Sequence, residues 1–337
     1  MGGGSVTRSD YFATAADTRG GLVFPCSCGV SLRLMLHHDA KTAPGVRVDA
    51  RGGAAAVVAN AWPLPAGPVD RGGSCPGVTD SCRDCYAAGL EAWAPGYQRG
   101  AAANLGALLH LYDCGGVRLV ARALTEVVRL SEAAQRAHGV RRPVFRWHSG
   151  GDFVAAWYAR AVVRAVNATP GVEHWAYTRS LGFVGILAKA RGLSLYVSAD
   201  RNNVTQAARV AARHGVPLAM LAADPAEAAA LWGRAIIAAP GGLARHGGPV
   251  SCPVSRWSGD GLGVAGHVVG ADGRRASVRP SSAGVGACVS CRVCLPSGSR
   301  RPVTFLVHGG RAKPGAPGRL GAAVSVRVKR GAVEVAT

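Results

Sequence analysis

Acidic side chains are scarce in this chain, 19 in 337 residues against 39 basic ones, which leaves a net charge of +20. Lysine is scarcer still, at Lys41, Lys189, Lys313 and Lys329 alone, so 35 of the cations are arginine. GC-rich codons account for much arginine, alanine and glycine, but they encode aspartate and glutamate as well, and the shortage of acids needs another cause. Long apolar runs are also lacking. The best candidate, residues 218–244, is broken by Asp224, Glu227 and Arg234, which excludes a membrane span there. The first residues carry no apolar stretch of the signal-peptide kind. The expectation is a cytoplasmic protein with no membrane partner, where clustered thiols hold metal more often than they form disulfides. Missing too are a G-x4-G-K-[ST] phosphate loop, a H-x-x-x-H zinc helix and a His-apolar-His pair.

What is present is uneven. From Arg245 to the end there are 14 basic and three acidic residues. Such a field attracts a polyanion, most simply a nucleic acid.

The chain divides by texture. Residues 1–52 read as a poorly structured leader, rich in Gly, Ser and Thr. Residues 53–244 alternate short apolar runs with longer helical ones. The predicted strands are 55–59, 144–148, 174–178, 194–198, 217–221 and 235–239, each lacking strict alternation, as strands buried on both faces do. Helices are predicted over 97–112, 119–138, 152–167, 180–190, 203–214 and 224–232, with Asp152, Ser180, Asn203 and Asp224 as N-caps. This order implies an α/β fold, a (βα)6-type partial TIM barrel whose working face lies at the C-terminal ends of the strands. Residues 245–300 form a Cys-rich metal-binding extension, and 301–337 a basic tail with β-type runs at 303–307 and 324–328.

Ten cysteines carry the sharpest signals. Cys75, Cys82 and Cys85 form a C-x6-C-x2-C run after the first predicted strand. Three thiolates on one loop hold three irons of a [4Fe–4S] cluster and leave the fourth iron open, or they hold a catalytic zinc with an open position. Cys288, Cys291 and Cys294, with the distant Cys252, supply four ligands. That set suits a second, fully ligated [4Fe–4S] cluster or a structural zinc, and the spacing does not separate the two. Cys26 and Cys28 could join His37 and His38, but their low-complexity setting favours coincidence. Cys114 reads as an ordinary half-buried cysteine and His110 as structural.

Polar residues gather at successive strand ends. Gly150, Gly151 and Asp152 follow the second predicted strand, Thr178 and Arg179 the third, and Ser198 and Asp200 the fourth. Glycines allow a ligand to approach the backbone, and three polar ends beside a cysteine loop suggest one pocket.

The joint order of Cys75-Pro-Gly-x4-Cys82-x2-Cys85-Tyr-Ala, Arg146-x-His-x-Gly-Gly-Asp-Phe153, Trp175-Ala-Tyr-Thr-Arg-Ser180 and Cys288-x2-Cys291-x2-Cys294 resembles the gene product 88 family of phages and actinobacterial plasmids. That likeness covers about residues 60–294. The first motif and the strand order are in turn similar to the radical S-adenosylmethionine superfamily, with a longer first cysteine spacing and Asp84 in place of the usual aromatic. The second likeness implies a cluster on Cys75, Cys82 and Cys85, with Gly150, Gly151 and Asp152 toward the methionine amino group. It also implies Ser198 and Asp200 toward the ribose. The expected function is an enzyme that generates a 5′-deoxyadenosyl radical from S-adenosyl-L-methionine, served by an electron donor and acting on a nucleic acid or nucleotide. The competing expectation is a non-catalytic, metal-stabilised nucleic-acid-binding protein of phage or plasmid replication.

Overall fold

Residues 22–34 fold into a hairpin, β1 (Leu22–Pro25) and β2 (Ser31–Leu34), paired antiparallel with Leu22 opposite Leu34 and with alternate side chains buried. The computed structural model describes residues 20–39, 58–137, 139–252, 266–269, 275–278, 288, 292–306, 325–329 and 332–336. Leu22, Phe24, Leu32 and Leu34 are buried in the main core. The expectation of an unstructured leader therefore fails for this stretch. Two four-residue strands are too short to register as periodicity, yet two residues from each suffice to anchor them once a helix covers them.

That helix is α2. After the two-residue strand β3 (Ala61–Trp62), the cysteine loop and α1 (Tyr86–Trp93), the chain enters α2 (Pro95–Ala137). Non-helical angles at Gly115 and Gly116 break α2 in its middle, as expected from separate helices over 97–112 and 119–138. Its second half places Val120, Ala123, Leu124, Val127, Val128 and Leu130 in the core.

From there the chain alternates as expected: β4 (Val144–Trp147), α3 (Ala156–Asn167), β5 (Glu173–Thr178), the single turn α4 (Val184–Leu187), β6 (Leu193–Ala199), α5 (Val204–His214), β7 (Leu218–Ala222) and α6 (Pro225–Ala238). Neighbouring strands pair in parallel from β3 to β7. Phe145, Trp147, Ala176, Leu195, Val197 and Met220 point to the face covered by the helices. Val144, Trp175, Tyr196 and Ala219 point to the other face. Strands buried on both sides explain why the runs lacked alternation.

The sixth predicted strand, 235–239, is instead the end of α6. Asp224 caps this helix by accepting the Glu227 N–H at 2.8 Å, and Pro225 occupies its first turn. Ala228, Leu231, Trp232 and Ala235 then repeat at helical spacing into the core. The apolar run continues on the outside, where Ile236 and Ile237 are 59% and 79% exposed.

Two further strands enter the sheet from beyond residue 244. After β8 (Val250–Ser251) and the backbone hairpin β9 (Gly266–Val269) with β10 (Arg275–Val278), strand β11 (Val303–Leu306) pairs in parallel with β7 on one side and β8 on the other. The sheet has the order β3-β4-β5-β6-β7-β11-β8 and is open, with β3 and β8 at its ends. A last hairpin, β12 (Ser325–Lys329) with β13 (Ala332–Ala336), lies outside it. Among the described residues no helix is long and apolar enough to cross a membrane. Of the predicted strands, residues 55–57 lie outside the described residues.

Strand β3 is shorter than β4, so the outer backbone of Val144 has no strand beside it. Gln135 of α2 fills the gap. Its Nε2 donates to the Val144 carbonyl and its Oε1 accepts the Val144 N–H, both at 2.9 Å, while Ser131 donates to the Ala59 carbonyl at 2.7 Å. Replacing Gln135 with Leu leaves both groups of Val144 buried and unpaired. The expected cost is about 2 kcal/mol, read as a lower denaturant midpoint at unchanged slope.

Candidate functional site

The cysteine loop lies across the C-terminal ends of the central strands. Cys75 donates its N–H to the Gly67 carbonyl at 2.9 Å, and the stretch Asp80–Asp84 turns as a short 3-10 helix before Cys85 leads into α1. Between them, Gly77 packs against the carbonyl of Arg179 at the end of β5, where a Cβ would overlap that backbone. Thr79 donates to Asp200 Oδ2 at 2.8 Å and Ser81 to Asn202 Oδ1 at 3.0 Å, which fixes the loop to the end of β6. Tyr86 donates to the Ser149 carbonyl at 2.8 Å, which ties the loop's exit to the end of β4.

A buried carboxylate, Asp152 of the segment after β4, lies near these thiols. Burial, then the fields of Asp152, Cys85 and Cys82, push the Cys75 thiol well above its ordinary value. The Cys82 sulfur accepts the Thr79 N–H at 3.4 Å. All three cysteines are free of disulfides.

Asp152 has a different task from either expected one. The helix after it starts at Ala156, with Ala155 in the capping position, so Asp152 is not its N-cap. Its Oδ1 accepts the Thr178 hydroxyl and the Phe153 N–H, each at 2.7 Å. Its Oδ2 accepts the N–H groups of Arg179 at 2.8 Å and Ser180 at 3.2 Å. A carboxylate offers about four acceptor positions, and all are used by the protein. Burial raises the Asp152 carboxyl above its usual range, and the donors from Thr178, Phe153, Arg179 and Ser180 oppose that shift. Gly151 has φ +76°, and a Cβ there would overlap the Ser74 hydroxyl, so this glycine serves a close protein contact.

Asp200 closes the arrangement. Besides Thr79 it accepts Arg179 Nε at 3.1 Å and the Asn202 N–H at 2.9 Å. The loop that carries Cys75, Cys82 and Cys85 is thus tied to the strand ends that carry Gly150, Gly151, Asp152, Thr178, Arg179 and Asp200. Ser198 is half-buried one position before the end of β6, and its carbonyl accepts Asn203 Nδ2 at 3.2 Å. Asn203 spends its side chain on this bond and on the Asp200 N–H rather than on a helix cap.

The second constellation packs on the sheet face opposite the helices. Cys252, Val293 and Cys294 lie against Tyr196, Ala219 and Val303, and Cys288 lies with Leu295 against Val144 and Trp175. Tyr196 donates to the carbonyls of Val293 at 3.2 Å and Arg301 at 3.1 Å. Burial, then the fields of Asp39, Cys252 and Cys294, push the Cys288 thiol up. Three of the four expected ligands are therefore neighbours, and Cys291 lies outside the described residues. Several arginines of this basic region serve the fold: Arg245 donates to the Ala212 carbonyl, Arg301 to that of Gly248, and Arg292 pairs with Glu173.

A third group was misread from sequence. Cys26 and Cys28 meet His110 and Cys114, not His37 and His38, and the four donor atoms lie within 4.8 Å of one another, a group able to hold a metal ion. His37 forms a β-bridge with Ala61 and stacks edge-on to Tyr97. The overlooked signal was the spacing of His110 and Cys114, four residues apart on one helix face.

The site also holds buried titratable groups that the sequence did not single out. Glu91 accepts the Ala66 N–H at 2.7 Å, and burial lifts it to about 7. His148 has φ +64°, lies 2.9 Å from the Tyr158 hydroxyl, and is held at about 3 by burial and the nearby Arg146.

The Gene product 88 family matches residues 34–295. The Gene 88 protein of Mycobacterium phage L5 is 33% identical over 181 residues, covering 51% of this chain and 70% of the phage protein. No solved structure matches.

Two outcomes follow from the buried groups. Asp152→Asn places an amide where N–H donors converge, and should cost about 3 kcal/mol in chemical denaturation; an unchanged midpoint would refute the four-donor role. The second concerns pH. Burial holds His37 and His174 at about 4 and His148 at about 3, so the unfolded chain takes up protons there first. Their contribution is full above the ordinary value of 6.5 and is lost as pH falls toward 4. Glu91 and Asp152, both raised, run the opposite way, but His38 and His246 are lowered as well and the histidines prevail. Unfolding midpoints should rise between pH 4.5 and 6.5, and a flat or falling profile would contradict neutral burial of these imidazoles.

Proposed function

The chain belongs to the gene product 88 family, and from that premise we propose an iron–sulfur enzyme of the radical S-adenosylmethionine type. The observation that carries this reading is the seat of the loop bearing Cys75, Cys82 and Cys85. It is fastened to the strand ends through Thr79 to Asp200 and Gly77 to Arg179. An open parallel sheet with its helices on one face supports the partial-barrel form of the fold.

The donor set fits a cluster. Three free thiols on one loop match three irons, and coordination removes the proton that burial otherwise holds on Cys75. Cys75, Cys82 and Cys85 would hold a [4Fe–4S] cluster, which when bound would supply the one electron needed for reductive cleavage of S-adenosyl-L-methionine to methionine and a 5′-deoxyadenosyl group. The protein's own residues position and shield. Asp152 fixes the Thr178–Ser180 turn under the loop, so in this reading it is a positioning residue. Asp200 holds the loop and Arg179 in one network. Thr178, Arg179 and Ser198 remain the proposed contacts at the strand ends.

A nucleic-acid or nucleotide substrate is supported by the +20 charge and by cations at this mouth. Arg83 in the loop and Arg201 beyond β6 have side chains 80% and 62% exposed. Their ion pairs with Asp80 and Glu227 are exposed and weak, so phosphate can compete for them. Cys252, Cys288, Cys291 and Cys294 form the second metal site of this reading, holding a [4Fe–4S] cluster or zinc. An electron donor serves the reaction in the cytoplasm.

Anaerobic reconstitution should load about four irons on the first site, and changing Cys75, Cys82 and Cys85 together to Ala should remove them. Under a strong reductant the loaded protein should release 5′-deoxyadenosine from S-adenosyl-L-methionine. Loaded protein that never forms it, yet binds DNA or RNA with or without the three cysteines, would establish the binding-protein reading instead. Arg83→Ala with Arg201→Ala should weaken nucleic-acid binding and flatten its salt dependence by about two charges.

A further inference from the structure

The group formed by Cys26, Cys28, His110 and Cys114 stands apart from the strand-end site, and nothing proposed for that site requires it. Cys26 opens the turn between β1 and β2, and Cys28 lies at its centre. The turn is closed by the Cys26 N–H to the Val30 carbonyl at 2.8 Å and the Gly29 N–H to the Cys26 carbonyl at 3.0 Å. His110 and Cys114 lie one helical turn apart on α2, immediately before the break at Gly115 and Gly116. Two chain segments about 80 residues apart thus bring two donors each to one point, with all four donor atoms within 4.8 Å.

The arrangement around the imidazole is the informative part. His110 Nε2 lies 3.2 Å from the Cys28 sulfur and 3.5 Å from the Cys114 sulfur. An imidazole nitrogen has one hydrogen or one lone pair, so a single nitrogen cannot make ordinary hydrogen bonds to both. Around a tetrahedral zinc, with sulfur at about 2.3 Å and nitrogen at about 2.0–2.1 Å, a sulfur and a nitrogen stand about 3.5 Å apart and two sulfurs about 3.8 Å. The two nitrogen–sulfur separations, 3.2 and 3.5 Å, are close to that size. The cysteines are not joined in disulfides.

We propose that Cys26, Cys28, His110 and Cys114 form a structural zinc site that clamps the β1–β2 hairpin to α2. Three thiolates and one imidazole fill a tetrahedron and leave no position for substrate, which is the pattern of a structural site. Soft sulfur with imidazole selects zinc over magnesium, calcium or manganese. The clamp has a mechanical reason, since a lone two-stranded hairpin is marginal in water. Here the hairpin has a few buried side chains and the bonds from Asn104 to the Met35 backbone at 2.7 and 2.8 Å. The same segment then runs on to Asp39, which pairs with Arg146 of β4.

The test uses the full-length protein, its zinc counted by mass spectrometry of the metal and its sites read by cobalt(II) substitution. Cys28→Ser with Cys114→Ser should lose one zinc equivalent while the iron loaded on Cys75, Cys82 and Cys85 stays unchanged. His110→Cys keeps four donors, so it should keep the zinc, fold, and gain sulfur-to-cobalt absorption over the wild type. Removal of the zinc from the wild-type protein should lower its unfolding midpoint and expose the hairpin amides to hydrogen exchange before the sheet amides. Zinc content and cobalt spectrum that are the same in the wild type, the serine pair and His110→Cys would overturn the site. A disulfide among Cys26, Cys28 and Cys114 in protein kept under reducing conditions would do so too. Failure of the wild-type protein to load iron, with the zinc behaving as expected, would count against the strand-end reading and not against this one.

Discussion

A carboxylate taken out of water must find hydrogen-bond donors or give up its charge, and Asp152 meets that requirement by gathering four donors from two strand ends. Much of the site follows from this. The turn from Thr178 to Ser180 takes its shape from the carboxylate, and Arg179 leaves that turn toward Asp200. Asp200 in turn receives Thr79 of the cysteine loop. The route from a buried charge to the placement of three thiols thus passes through two carboxylates, with one arginine between the β5 and β6 ends. Hydrogen bonds to ionised groups are stronger than neutral ones, which suits a loop that has little apolar surface of its own.

Arg146 plays a comparable part between the two cysteine constellations. It leaves β4, pairs with Asp39 and donates to the Tyr86 hydroxyl at 2.8 Å. Tyr86 lies in the field of Cys85, and Cys288 in the fields of Asp39 and Arg146. The guanidinium therefore sits electrically between the strand-end loop and the Cys-rich extension. It is a constant positive charge for both, because a buried arginine keeps its proton.

Strands β4 to β7 and the helices between them were legible because doubly buried strands and helices with one apolar face leave local marks in composition. The errors have physical causes too. Residues 235–239 read as a strand because apolar residues on the exposed side of α6 masked its helical spacing, although Asp224 and Pro225 had marked its start. Residues 22–34 were passed over because four-residue strands gain their stability from α2, which no local pattern reveals. The place of β11 between β7 and β8 is a long-range fact of the same kind. At the site, residue types and their order picked out the right neighbourhood. They could not tell that the Asp152 carboxylate is already saturated by the protein, nor that Cys26 and Cys28 face His110 and Cys114 across some 80 residues of chain.

The insertion of β11 between β7 and β8 also dictates an order of events during synthesis. Until Val303–Leu306 has left the ribosome, β7 presents a bare, apolar edge with nothing to pair with on that side. Vectorial folding can complete β3 to β7 early, but the remaining third of the sheet must wait for almost the whole chain. Non-local parallel pairing of this kind is slow. The Cys-rich extension, packed against Tyr196 and Val303, can take its final place only after that strand has docked. The extension therefore takes its place late, and the half-finished nascent chain, with the β7 edge open, is the form most in need of a chaperone.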